Sequence, residues 1–266
     1  MTRRYVDLSM TLSNDVISDP PFLRPHIDYQ THEGTRHELE KFFPGADIDE
    51  MRGGDPFCAT EWVKLTTHSG THVDAPWHYH YSQDAALPSG SRPSQTIDEM
   101  PLEWFFNRGA KLDFRHVEDG YVVTAADIEA ELKRIGHELQ PLDIVVVNTA
   151  AGMALANRDP AYVSRGAGVG YEGTMYLLER GVRVTGTDAW SWDAPFEHTS
   201  DQVTKTGDAK LIWEGHRAGV DIGYCHIEKM HNLEALPATG FMISCFPNKI
   251  QGASAGWTRA VAIFGA

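Results

Sequence analysis

The chain has 266 residues, 42% of them apolar, and no low-complexity tract or Gly/Ser/Pro linker, so a single domain over residues 1–266 with a full core is expected. Its 37 acidic against 23 basic side chains leave a net charge of −14, which argues against nucleic acid or an anionic membrane as partner, because both select basic patches. Cys58, Cys225 and Cys245 are odd in number and scattered, which implies neither a disulfide framework nor a thiolate zinc site; buried filler is their default role.

In chain order, Met1 to Asp7 carries basic residues with no apolar stretch behind them, and no later run approaches membrane-spanning length. A cytoplasmic protein is the expectation. The segment from His37 to Asp55, with Phe42-Phe43-Pro44-Gly45 and Arg52-Gly53-Gly54, is long and turn-rich and reads as a lid or a dimer arm. Trp62 to Thr67 alternates apolar and polar side chains and reads as a strand opening into a Gly70 turn. Thr124 caps a helix that ends near Gly136, and Asp143–Asn148 is a buried strand. A short helix from Gly173 to Gly181 feeds a strand over Val182–Gly186, and Gly240–Phe246 and Arg259–Phe264 close the core sheet. The fold class is α/β, mixed and β-rich.

Between the first of these strands and the helix lies the densest chemistry. His68, His72, Asp74 and His78 fall within eleven positions, and imidazole with carboxylate suits Zn²⁺, with Mn²⁺ as the alternative. His68 and His72 stand four apart, as on a helix, but Gly70 between them and Pro76 behind them make a helix improbable. In extended chain His72 and Asp74 point the same way. His68 joins them by folding back over Ser69-Gly70, which makes three ligands, and His78 is then free to act as a base. An incidental His-rich surface loop is the competing explanation.

The run His-x-Gly-Thr-His-x-Asp-x-Pro-x-His, written here as His68-Ser69-Gly70-Thr71-His72-Val73-Asp74-Ala75-Pro76-Trp77-His78, resembles the signature of the metal-dependent cyclase superfamily. Asp7-Leu8-Ser9, Gly186-Thr187-Asp188 and Glu228 to Pro237 resemble its other landmarks in order. The resemblance implies a compact swivelling β/β/α fold and places His216 as ligand of a second metal, with Asp74 and Glu228 bridging, so that one or two divalent ions are held per chain. It further implies hydrolysis of an acyl C–N or C–O bond in a small molecule (a cyclic amide, formamide or lactone) by metal-activated water, with His78 as proton shuttle and a homo-oligomer as the working form.

Two other function classes stay open: a cyclase or lyase that stabilises an enolate, and a metal-binding protein without catalysis. On spacing alone, His216 reads equally as a helix-end cap and Glu228 as a solvated charge. Asp188 is expected either to orient a ligand histidine or to cap a turn. Phe22 and Trp77 are candidates for the substrate pocket, ahead of Phe57, Trp190 and Trp192. His80, His226 and His231 read as surface or pocket-wall residues, and Gly166 to Gly170 as a turn near the site. Kynurenine formamidases of the superfamily stack an N-terminal tryptophan on the substrate ring. Ser13 to Phe22 holds none, which makes N-formylkynurenine a doubtful substrate.

Overall fold

The computed structural model describes residues 2–53 and 57–265, which leaves Gly54 and Asp55 of the turn-rich segment outside the described residues. Its centre is a curled nine-stranded sheet. Strands β1 (Arg4–Asp7), β4 (His72–Asp74), β5 (Phe106–Asp113), β6 (Ile144–Asn148), β7 (Val184–Thr187), β8 (Cys225–Glu228), β9 (Phe241–Ser244), β10 (Ala255–Trp257) and β11 (Val261–Phe264) build it. Strands β2 (His26–Gln30) and β3 (Thr60–Lys64) pair separately as an exposed antiparallel hairpin. The spatial order is β1-β11-β9-β5-β6-β7-β8-β4-β10, with β5 to β8 parallel and the flanking strands antiparallel.

Parallel strands need long crossovers, and helices supply them. α3 (Ala125–Ile135) links β5 to β6, α4 (Ala150–Ala156) and α5 (Tyr171–Leu178) link β6 to β7, and α6 (Phe196–Thr206) and α7 (Glu214–Asp221) link β7 to β8. The β6 sequence Ile-Val-Val-Val-Asn is buried throughout because both of its faces are covered. Ile144 and Val146 join a core with Ile227, Phe241 and Ile243, while Val145 and Val147 join one with Ile128, Leu177 and Trp192. α3 carries its reciprocal Thr124–Asp127 cap and stops at Gly136 in the left-handed region, as its sequence predicts.

Three local expectations need correction. The start of the turn-rich segment, residues 37–42, belongs to a helix, α1 (His32–Phe42), capped by Thr31. The strand expected over 62–67 forms at 60–64 and lies in the exposed hairpin, while the site strand is the short β4 beyond the turn. Cys58 is exposed, whereas Cys225 and Cys245 are buried. Within the Gly166–Gly170 turn, a β-carbon at Gly168 would strike the Ala194 backbone, and Gly168–Val169 pairs with Val122–Val123.

Candidate metal centre

The site is assembled by strand register. β4 and β8 are antiparallel neighbours in which His72 faces Glu228 and Asp74 faces His226. Side chains two apart on a strand share a face, so His72, Asp74, His226 and Glu228 converge on one side of the sheet. Just upstream, Gly70 takes φ 64°, and a β-carbon there would lie 2.4 Å from Leu12 Cδ2. That turn folds His68 back until its Nδ1 is 2.9 Å from Asp74 Oδ1, with its Nε2 2.9 Å from Ser254 Oγ. Downstream, Pro76 opens a short helix, α2 (Pro76–Tyr79), as a proline at a first helical position does. His78 on that turn brings its Nε2 to 3.9 Å from Asp74 Oδ2. His216 comes from the first turn of α7, its Nε2 3.9 Å from Glu228 Oε1.

All six sequence-predicted groups (His68, His72, Asp74, His78, His216 and Glu228) therefore meet in one place. His226, expected at a surface or pocket wall, is instead completely buried, with Nε2 3.0 Å from Asp74 Oδ2 and 3.3 Å from Glu228 Oε1. Its i, i+2 spacing to Glu228 is the same signal that pairs His72 with Asp74. Two groups of ligand atoms close enough to share an ion emerge: Asp74, His216, His226 and Glu228, and His68, Asp74 and His78. Asp74 belongs to both, as a bridging carboxylate would.

The donor atoms fit a cation. His72 Nδ1 lies 2.8 Å from the Gly70 carbonyl, which can only accept, so Nδ1 carries the proton and Nε2 presents a lone pair. That lone pair points at acceptors, with Asp74 Oδ1 at 3.2 Å and Glu228 Oε2 at 3.6 Å. His72 Nε2 is buried with no hydrogen-bond donor facing it, and Asp74 Oδ1 beside it has only the His68 and His72 imidazole nitrogens near. A buried imidazole lone pair facing carboxylate oxygens is costly unless a positive charge sits between them. Among the described residues, the nitrogen and oxygen donors suit Zn²⁺ or Mn²⁺.

The same groups are electrostatically coupled to one another. Burial would raise the Asp74 carboxyl, but His72, His78 and His68 hold it well below the ordinary carboxylate value. Burial and Asp74 likewise raise Glu228, yet His226 brings it down to about 2. Burial lowers the His226 imidazole, and hydrogen bonds to Asp74 and Glu228 outweigh it and lift it to about 9. His78 is pushed down to about 4, chiefly by burial.

The surrounding shell was less legible. His216 Nδ1 donates to Asp193, whose carboxylate also accepts from the backbone N–H groups of Gly215 and His216 at the start of α7. Asp193 thus fixes the tautomer that points Nε2 at Glu228. Asp188, expected for such a role, accepts instead from Thr149 and Asn148 at the head of α4, and burial lifts its carboxyl to about 7. Beneath the His68 turn lies a buried ion pair: Lys229 Nζ donates to Asp19 Oδ1 at 2.6 Å and to the His68 carbonyl at 2.7 Å, while Asp19 Oδ2 accepts from Gly70 N–H.

A cavity of about 370 Å³ opens over the cluster, reached by His68, His78, His216 and Glu228 and walled by Phe22, Trp190, Phe196 and Trp213. Phe22 is placed where the pocket expectation puts it. Trp77 is not among the lining residues, and Trp192 is core, its indole N–H on Thr174 Oγ1. Trp213, unremarked in the sequence, stacks on His216 with ring centroids 4.6 Å apart and planes 7° from parallel.

A curled mixed sheet carrying a buried imidazole–carboxylate cluster beneath an aromatic cavity defines an α/β protein with a metal-type active site. Residues 6–194 match the family model described as "Putative cyclase", and the chain belongs to that cyclase family. It is 26% identical over 200 residues to a kynurenine formamidase of Salinibacter ruber (strain DSM 13855 / M31), covering 75% of this chain and 77% of that protein. Among solved structures, an isatin hydrolase bound to the product analogue thioisatinate superposes with a TM-score of 0.71 at 20% identity, covering 98% of this chain and 92% of that one. Isatin hydrolase A from Ralstonia solanacearum gives a TM-score of 0.71 at 21% identity, with 98% and 92% covered.

Proposed function

We propose that the chain is a metal-dependent hydrolase of a small amide, cleaving the acyl C–N bond of a cyclic amide or formamide, with a lactone as the C–O counterpart. The observation that carries this reading is the buried His72 Nε2 lone pair facing the Asp74 and Glu228 carboxylates, in a cluster that opens to a cavity where His78 stands. Relatives named as a formamidase and isatin hydrolases support the same bond class. His68, His72 and Asp74 would hold one divalent ion, Zn²⁺ before Mn²⁺, and Asp74, His216, His226 and Glu228 would hold a second. A divalent ion there lowers the pKa of coordinated water and polarises an acyl oxygen.

The chain's own residues supply the rest. His78 presents Nε2 to the cluster, takes the proton of the attacking water at that atom and delivers it to the leaving nitrogen. Aromatic walls exclude water and seat the flat part of the substrate. Exposed Tyr29, Trp62 and Val63 on the β2–β3 hairpin support a homo-oligomer, since a two-stranded sheet open on both faces is marginal by itself. Its mass in solution by light scattering tests that part.

The functional test is a screen of isatin, lactones, small formamides and N-formylkynurenine with Zn²⁺ or Mn²⁺ added back. A cyclic amide, lactone or small formamide is expected to turn over with one ¹⁸O from water entering the product. Products free of ¹⁸O would favour the lyase or cyclase reaction. N-formylkynurenine as best substrate would overturn the substrate assignment.

A further inference from the structure

The helix α6 is unusual in its surroundings. None of its 11 residues is buried, although it lies in the crossover beside the metal centre. Phe196, Thr199, Ser200, Val203 and Thr204 fall at i, i+3, i+4, i+7 and i+8 and so form one stripe along the helix, apolar at Phe196 and Val203. This stripe meets no core. It lines an open groove of about 480 Å³ that is completed by Ile212 and Trp213.

The groove adjoins the catalytic cavity through shared walls. Phe196 and Trp213 line both spaces, with ring centroids 6.4 Å apart. Trp213 stacks on His216 from a left-handed backbone, φ 55°, a strained conformation for a bulky residue and one that tends to mark functional positions. Each space alone falls within the roughly 300–1,000 Å³ of small-molecule sites.

We propose that this groove is a second subsite, which takes an apolar alkyl or aryl tail of a substrate whose acyl carbon sits at the metal centre. The inference rests on the hydrolase reading above. The shared walls favour a substrate tail over a protein segment: an occupant of the groove that passes the Phe196 and Trp213 side chains reaches the centre. Hydroxyls of Thr199, Ser200 and Thr204 along one side accommodate a polar atom within that tail.

The probes are benzoate and its 4-propyl and 4-hexyl derivatives, carboxylates like the products of amide cleavage, titrated calorimetrically into Zn²⁺-loaded protein. Each buried methylene should tighten binding about threefold to fourfold. Three carbons then give on the order of 30-fold, and the Val203→Trp and Ile212→Trp variants, which fill the groove from a half-buried and an exposed position, should reduce the gain to less than about twofold. Affinity independent of chain length, or a gain that survives both substitutions, overturns the proposal. So does an absent gain accompanied by a dimer that Val203→Trp dissociates, which would assign the groove to a second copy. The two readings fail separately: a chain-length gain that persists in His72→Ala supports the groove, and benzoate affinity unchanged by that substitution counts against the metal site.

Discussion

Replacing Lys229 by methionine probes the support beneath the metal turn. Lys229 and Asp19 are almost wholly buried, with Nζ 2.6 Å from Oδ1, and the same ammonium donates to the His68 carbonyl. Methionine matches the lysine stem in length but leaves Asp19 with only Ser18 Oγ and Gly70 N–H as donors. Stranding one partner of a buried pair costs about 3–5 kcal/mol, because the remaining charge stays desolvated and unpaired. Asp19→Asn with Lys229→Met removes that charge and should recover most of the loss. Metal affinity should behave differently. Without Nζ the His68 carbonyl loses its tether in both variants, and misplacing an outer support of a ligand lowers metal affinity about 10- to 100-fold. Urea unfolding of the metal-free protein gives the first quantity and competition with a chelating dye gives the second. A Lys229→Met protein within about 1 kcal/mol of wild type, binding Zn²⁺ as tightly, would refute the reasoning.

Three further outcomes follow from named contacts. His78→Ala should retain metal while losing about 10²–10⁴-fold in turnover. Metal loss as complete as in His72→Ala would make His78 a ligand, a role its place beside His68 and Asp74 also allows. Asp193→Asn should weaken metal binding about 10- to 100-fold with little change in melting temperature, by loosening the His216 tautomer; unchanged binding would leave Asp193 a helix cap. Asp188, lifted to about 7, favours its protonated form in the folded state. Its contribution to stability is complete below the ordinary carboxylate value and is lost as pH rises through about 7, so Asp188→Asn should flatten the stability–pH curve between about pH 4 and 7. A parallel curve for the variant would contradict this.

How far these features were legible depends on where their signals lie. The motif from His68 to His78 is local, and the strand alternation that pairs His72 with Asp74 follows from period two. β6 and α3 were legible because burial on both faces and a reciprocal cap leave continuous and periodic patterns. α1 and α6 were not: α1 contains Gly34 in its first turn, and α6, Phe-Glu-His-Thr-Ser-Asp-Gln-Val-Thr-Lys-Thr, has too few apolar residues to show a face. His226 was readable in principle from its alternation with Glu228 on β8. Asp193 was not, since it reaches His216 across 23 residues through a turn whose geometry exists only once α7 docks. The same holds for Lys229 and Asp19, 210 positions apart and joined only when the N-terminal segment lies against the end of β8. Trp77 illustrates the converse: its place in the motif suggested the pocket, yet the α2 turn leaves it 46% exposed and outside the cavity wall.

The central claim is that the buried imidazole–carboxylate cluster holds the divalent cation on which hydrolysis depends. Its most direct test is elemental analysis of the purified wild-type protein and of His72→Ala, read alongside turnover of the best amide from the screen. The account predicts one to two equivalents of Zn²⁺ or Mn²⁺ per wild-type chain, as the two ligand groups sharing Asp74 allow, and joint loss of metal and turnover in a folded His72→Ala protein. A wild-type protein that is folded, free of metal and fully active would contradict it.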